Sequence, residues 1–378
     1  MPTPKTVLVA CDKFKGSLTG REVNQTIGQA ATALGYQAKA YPVADGGDGT
    51  LDALETMGFQ PTPVKVSGPT GQQVVTRYVV RQGVAVVELA DACGLLHLPG
   101  GVLEPLQSSS RGLGEALKVA LGDPAVTQAV VGVGGSASSD GGAGLLFGLG
   151  AVLWDAAGNV MVPNAANLGQ VVRLDLEPVR SLVAGRRIIL ATDVTNPLLG
   201  DHGAVAVFGP QKGLTGSAAC AVEAGLSHWA GVLGRACGVD LSAAPGAGSA
   251  GGVGFAALSA LGAAMRRGVD LILELGGFGD ALATANLVVT GEGSLDEQSL
   301  MGKAVAGVCG AAKATPVIAL CGRSTLTSAQ ANSLGLAGVY ALSELEPDLD
   351  QSMRRAGPLL RDLASRAIAK HLPPALPN

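Results

Sequence analysis

Histidine and cysteine are scarce in this chain, and the few present are scattered. The four histidines fall at no metal-ligand spacing, and Cys11, Cys93, Cys220, Cys237, Cys309 and Cys321 lie far apart with no CxxC pair. A zinc site and a disulfide framework are thereby disfavoured, and reduced thiols in a cytoplasmic protein are expected. Basic charge is not in excess: the formal net charge is −4, which leaves no electrostatic footprint for nucleic acid. No GxxxxGK[ST], GxSxG or HExxH occurs, so a P-loop nucleotidase, an α/β-hydrolase and a zincin all lack their motif. No secretory leader is read at the N-terminus, where the strand-like run Thr6–Cys11 begins almost at once. The uncharged stretch from Gly246 to Met265 reaches the length of a membrane span but is built from Gly, Ala and Ser. Such residues insert poorly, so it reads as a glycine-rich loop feeding a buried helix, and no membrane partner is expected.

What is present is apolar and rich in glycine. Hydrophobic residues make up 47% of the 378 residues and charged ones 15%, with mean hydropathy +0.36, which excludes a disordered chain. The length exceeds a single core and predicts two domains. Buried strands are expected at Thr6–Cys11, Gln37–Val43, Leu287–Thr290, Pro316–Cys321 and Val339–Leu342, alternating with helices. One of these helices opens on the capping box Thr19–Glu22, and a last one spans about Asp348–His371. Between these outer segments the pattern changes to an antiparallel meander at Thr62–Ser67, Val74–Arg81 and Val84–Leu89, followed by strands at Gln128–Val133 and Arg187–Thr192. A helix is expected at Ser217–Ala236 and another at Gly252–Met265. The expected fold is α/β: a discontinuous flavodoxin- or Rossmann-like parallel-sheet domain of residues 1–62 and 268–378, with a mixed-sheet α/β domain of residues 63–267 inserted in it. A ligand site is expected in the cleft between them.

The polar residues concentrate in glycine loops at predicted strand ends. Asp12 stands with Lys13 and Lys15, Asp45 with Asp48, Ser136 with Asp140, Asp193 with Asn196, and Asp296 with Lys303. In the last of these, the apolar run breaks at Gly291 and Gly293 before the acid and the lysine. On one helix Asp296 and Lys303 would share a face about 10 Å apart. Lys212 reads as a solvated loop charge, and Arg111 and Arg323 as carboxylate binders or surface residues. Gly132–Ala137 approximates a dinucleotide fingerprint without its acidic partner, which leaves an NAD(P)-dependent oxidoreductase as a weaker reading. Asp, Lys and Ser among glycines, without His, Cys or Tyr, suit phosphoryl transfer, where catalysis is mostly positioning and charge neutralisation.

Six segments in register over nearly the whole chain, DKFKGS (12–17), ADGGDGT (44–50), GVGGSASSDGGAG (132–144), ATDVTNPLLG with FGPQKG (191–213), GAGSAGGVG (246–254) and TGEGSLDEQSLMGK (290–303), resemble the bacterial type I glycerate kinase family. Ser139 stands where Asn is common in that family, and Val305 where Pro is expected. The resemblance implies a two-domain fold and transfer of the ATP γ-phosphoryl group to the 2-hydroxyl of D-glycerate with Mg²⁺. Kinases of the 3-hydroxyl or of another small hydroxy acid, and a non-catalytic metabolite sensor, stand as alternatives. Asp193 is the first choice for the residue that takes or orients the hydroxyl proton and Asp296 the second; either could instead hold Mg²⁺ together with Asp45 or Asp48. Lys15 and Lys303 are expected on phosphate or carboxylate, and Gly134, Gly135, Ser136, Gly291 and Gly293 against the nucleotide. Asp45, Gly46, Gly47, Asn196 and Ser17 are expected around the glycerate. The same reading leaves room for a homodimer.

Overall fold

The computed structural model describes residues 5–43, 47, 49–301 and 304–372. It divides into two compact units, residues 1–45 with 269–378, and residues 46–268. The first division falls at Asp45/Gly46 rather than after Thr62, because helix Thr50–Thr56 packs on the strands Gln73–Arg81 and Val84–Glu88 of the second unit.

The first unit is built on a five-stranded parallel sheet. Numbered within the sheet, Thr6–Cys11, Gln37–Ala40, Leu287–Leu295, Val317–Ser324 and Leu336–Ala341 lie in the order 2-1-3-4-5, the flavodoxin arrangement. Thr6–Cys11 is central and buried along its whole length, as its unbroken apolar run predicts. Helices Gly20–Ala33 and Ala356–His371 pack together over one face, joining Ile27, Leu360, Leu363 and Ile368 to Val7, Val9 and Leu320. The capping box forms as read: Thr19 N donates to Glu22 Oε2 at 2.8 Å, and Glu22 N to Thr19 Oγ1 at 3.3 Å. The last helix is two, Leu349–Arg354 and Ala356–His371, with Arg355 non-helical between them. Pro358 explains the break, since a proline ring clashes with the carbonyl four residues back, here that of Arg354.

The second unit carries a six-stranded mixed sheet. Gln60–Ser67, Gln73–Arg81 and Val84–Glu88 form the antiparallel meander, and Gln128–Gly132, Arg187–Ala191 and Ala264–Arg266 continue it in parallel. The segment expected as one helix to Met265 is instead helix Val253–Ala260, a turn at Gly262 with φ +59°, and the edge strand Ala264–Arg266. Ala and Met favour a helix, but pairing with Ile189–Ala191 overrides that weak preference. The short hairpin of Val152–Trp154 and Arg173–Asp175 gave no periodic signal. No helix among the described residues is long and apolar enough to cross a membrane.

Helices Arg111–Gly122 and Ala143–Leu149 cross with backbone almost touching backbone. A Cβ on Gly114 would lie 2.1 Å from the Leu145 carbonyl oxygen, and one on Gly148 would lie 2.3 Å from that of Arg111. Gly→Ala inside a helix ordinarily stabilises it, but Gly114→Ala should instead lower stability by about 1–3 kcal/mol through overpacking. A urea titration with unchanged or raised midpoint would contradict this.

Candidate active site

In the second unit the parallel strands are in register at their ends, with Glu88 opposite Gly132 and Gly132 opposite Ala191. Three connections therefore leave one edge side by side: helix Leu89–Cys93, the glycine loop 133–142, and the segment 192–197. This is the edge at which open α/β sheets bind ligands. Loop 133–142 is held by close backbone approach. Gly135 O accepts from Leu95 N at 3.0 Å, and a Cβ on Gly134 would stand 2.5 Å from Gly47 Cα. On its other side, Gly141 N donates to Gly251 O at 2.9 Å, and a Cβ on Gly251 would meet the Ser138 carbonyl at 2.2 Å. The uncharged Gly246–Gly254 stretch is thus the packing partner of this loop.

Two buried charges lie beneath it. Lys212 is 3% exposed, and its Nζ donates to Ser136 Oγ at 2.6 Å and to Ser138 O at 2.5 Å. The reading of Lys212 as a solvated loop charge is therefore wrong: the turn Pro210–Lys212 carries it into the interior. Burial pushes its pKa down to about 8, against the opposing influence of Asp140 and Cys93. Asp140 is fully buried and accepts from Ser109 Oγ, Ser110 N and Oγ, Gly142 N and Gly144 N, at 2.7–3.2 Å. Burial raises its pKa, and the Ser110, Gly142 and Ser109 hydrogen bonds oppose that rise. Ser109 and Ser110 were missed; their only signal was a serine run ahead of a helix, the composition of an ordinary cap.

Asp193 follows the strand Arg187–Ala191 after Thr192 and is half-buried. Asn196 spends its side-chain amide on His202 O at 2.9 Å, while its carbonyl accepts from Gly248 N at 2.9 Å. Arg111 pairs with Glu115 at 2.6 Å and lies over the Phe147 ring, the arrangement of a helix-surface residue.

In the first unit, the strand that begins at Leu287 does not break at its glycines but runs on to Leu295. Gly291 and Gly293 serve close packing instead. A Cβ on Gly291 would lie 1.9 Å from Leu320 O, and one on Gly293 would lie 3.1 Å from Lys15 N. The 12–17 loop lies across Gly293: Asp12 N donates to Gly291 O at 2.9 Å, Ser17 Oγ to Phe14 O at 3.1 Å, and Lys15 is exposed. Buried Asn24 braces this loop, donating to Cys11 O and Gly20 O and accepting from Cys11 N. Asp296 N donates to Ser299 Oγ at 3.1 Å, and a single 3₁₀ turn, Glu297–Met301, follows. The next α-helix described begins at Ala304, so Asp296 lies ahead of it, before the 3₁₀ turn. Arg323 is exposed and donates to Ser294 Oγ at 3.2 Å. Lys15, Ser17, Gly293 and Asp296 thus share one sheet edge, and Gly47, Gly134, Gly135, Ser136, Asp193 and Asn196 share the other. Asp45, Gly46, Asp48 and Lys303 lie outside the described residues.

The model of the glycerate kinase family matches residues 7–372. The chain belongs to the glycerate kinase family. It is 36% identical over 358 residues to the glycerate 2-kinase of Escherichia coli K12, covering 93% of each chain. It is also 36% identical over 348 residues to the glycerate kinase of Bacillus subtilis 168, covering 90% of each. A crystal structure from Salmonella typhimurium LT2, put forward as glycerate kinase 2, superposes with a TM-score of 0.81 at 34% identity, covering 97% of this chain and 99% of that one.

Membership of the glycerate kinase family makes this chain a kinase with a nucleotide phosphoryl donor. The glycine loop 133–142 suits that chemistry, because anions are bound by backbone amides that the fold holds in advance. Asp140 does the holding, and both of its oxygens accept backbone N–H groups. Asp140→Asn would turn an amide N–H₂ toward one of those donors, leaving buried groups unmatched. A loss of about 1–3 kcal/mol is expected, read as a lower urea midpoint at unchanged slope; an unchanged midpoint would remove Asp140 from this role.

Proposed function

We propose that this glycerate kinase family member transfers the γ-phosphoryl group of ATP to the 2-hydroxyl of D-glycerate in the presence of Mg²⁺. The observation that carries the reading is the pairing of Gly132 with Ala191, which sets a carboxylate, Asp193, beside a braced glycine loop at adjacent strand ends. The name of the Escherichia coli relative, a glycerate 2-kinase, supports the choice of hydroxyl.

Asp193 accepts the proton of the substrate hydroxyl as the new O–P bond forms and the bond to ADP breaks. Asp296 is the second candidate for that role. The amides of Gly134 and Gly135 and the hydroxyl of Ser136 receive an anionic group. Lys15 and Lys303 meet phosphate charge, while Asp45, Gly46, Gly47, Asn196 and Ser17 surround the glycerate. Among the described residues no group of three His, Cys, Asp or Glu could hold a metal ion. That donor set still fits Mg²⁺, which keeps several waters and needs only one or two carboxylates beside substrate phosphates. Asp45 or Asp48 would hold it, together with whichever of Asp193 and Asp296 does not take the proton, and when bound it neutralises charge on the phosphates.

The test is ATP-dependent turnover of D-glycerate in Mg²⁺ followed by phosphorus NMR. A product phosphorus split into a doublet by the single C2 proton is expected; a triplet from a CH₂ group would mean the 3-hydroxyl. Asp193→Asn should lower kcat by about 10²–10⁴-fold with a smaller effect on the KM of glycerate. Folded protein that phosphorylates L-glycerate or other hydroxy acids but not D-glycerate would overturn the substrate, and wild-type kcat in Asp193→Asn would overturn the base.

A further inference from the structure

Lys212 has no part in the chemistry proposed above, yet its environment is the most unusual of any cation described. Its ammonium is buried, both of its hydrogen-bond acceptors are neutral, and among the described residues it forms no ion pair. The titratable groups that act on it through space are Asp140 and Cys93. Neither is a direct partner: Asp140 is occupied by the serine and glycine donors around it, and burial lifts the Cys93 thiol to about 12, so it stays neutral. A desolvated charge without a counter-ion destabilises a fold. If Lys212 served only to tie Ser136 to Ser138, a neutral amide could make the same two hydrogen bonds without that penalty.

Lys212 is tied into the glycine loop as one network: its Nζ donates to Ser136 Oγ, and Ser136 Oγ in turn donates to Ser138 O at 3.3 Å. Ser136 stands on the loop whose glycines Gly134 and Gly135 carry backbone amides at the sheet edge. Lys212 itself lies below this loop and acts through it.

We propose that Lys212 is a positioning residue whose positive charge, held beneath the glycine loop and coupled to it through Ser136 and the Ser138 carbonyl, neutralises an oxyanion bound by that loop. The proposal rests on the kinase reading, and the oxyanion is either the carboxylate of the hydroxy acid or a phosphate of the nucleotide. Binding supplies the missing counter-charge, so the ligand and the lysine proton stabilise each other. In the free protein the proton is lost as pH rises through about 8, and the bound anion moves that loss to higher pH.

Lys212→Gln keeps a donor for Ser136 and Ser138 and removes the charge. In the wild type, kcat/KM should fall on an alkaline limb near pH 8, while the limb in kcat lies higher, since the two report free and bound enzyme. In Lys212→Gln the kcat/KM limb should disappear and one KM should rise at pH 7 by about tenfold or more, in keeping with the loss of one charge interaction. A rise confined to glycerate identifies the carboxylate, and a rise confined to ATP identifies the phosphate. Thermal unfolding at pH 7 should find the variant at least as stable as the wild type. Lower stability with unchanged KM values, or an unchanged pH profile, would overturn the proposal in favour of a structural tie.

A second measurement needs neither turnover nor a variant. Calorimetric titration of the wild type at pH 8.5 with D-glycerate, inorganic phosphate or a non-hydrolysable ATP analogue, in two buffers of different ionisation heat, should reveal proton uptake on binding. Binding of all three without proton uptake overturns the role of Lys212. Proton uptake in a protein that fails to phosphorylate D-glycerate would retain that role and discard the kinase substrate.

Discussion

The second unit depends on backbone meeting backbone where no side chain can fit. Gly134 lies against Gly47, Gly251 against Ser138, and Gly252 against Gly141, at separations that a single Cβ would make impossible. Trp229 closes the same cluster, its indole Nε1 donating to Gly141 O at 3.0 Å. Close approach of this kind leaves the loop little freedom, so its backbone amides are ordered in advance. The glycines therefore act less as hinges than as the means by which two loops interlock.

Two buried charges match part of the backbone and hydroxyl groups that this packing encloses. Asp140 collects the donors of Ser109, Ser110, Gly142 and Gly144, while Lys212 supplies donors to Ser136 and Ser138. The two charges differ in kind. Asp140 is surrounded by donors that compensate its burial, whereas Lys212 has hydrogen bonds but, among the described residues, no ion pair. This asymmetry is why one reads as architecture and the other as readiness for an anion.

The first unit meets the same demand with different parts. Its sheet edge is set by Gly291 against Leu320 and by Gly293 under the 12–17 loop, and Asn24 matches the backbone groups of Cys11. Lys15 remains exposed there, its charge hydrated at the end of a long side chain. A surface lysine and a buried one thus represent two ways of offering positive charge, one mobile and one held in place.

Sequence alone determined the elements whose signal is local. The apolar runs at Thr6–Cys11 and Gln128–Gly132, the capping box at Thr19 and the alternating meander follow from side-chain period and hydrogen-bonding type, which neighbouring residues settle among themselves. The run of strands and helices was enough to predict the parallel sheet of the first unit, and six glycine-bearing motifs in order were enough to identify the family. Tertiary structure alone decided what depends on distant partners. Leu287–Leu295 continues through its glycines because Leu320 and the 12–17 loop need the space, and Ala264–Arg266 is a strand because Ile189–Ala191 offers it an edge. Lys212 looks like any loop lysine until residues 74 and 76 positions away are folded over it. Burial and charge compensation are properties of packing, and no window of neighbouring residues contains them.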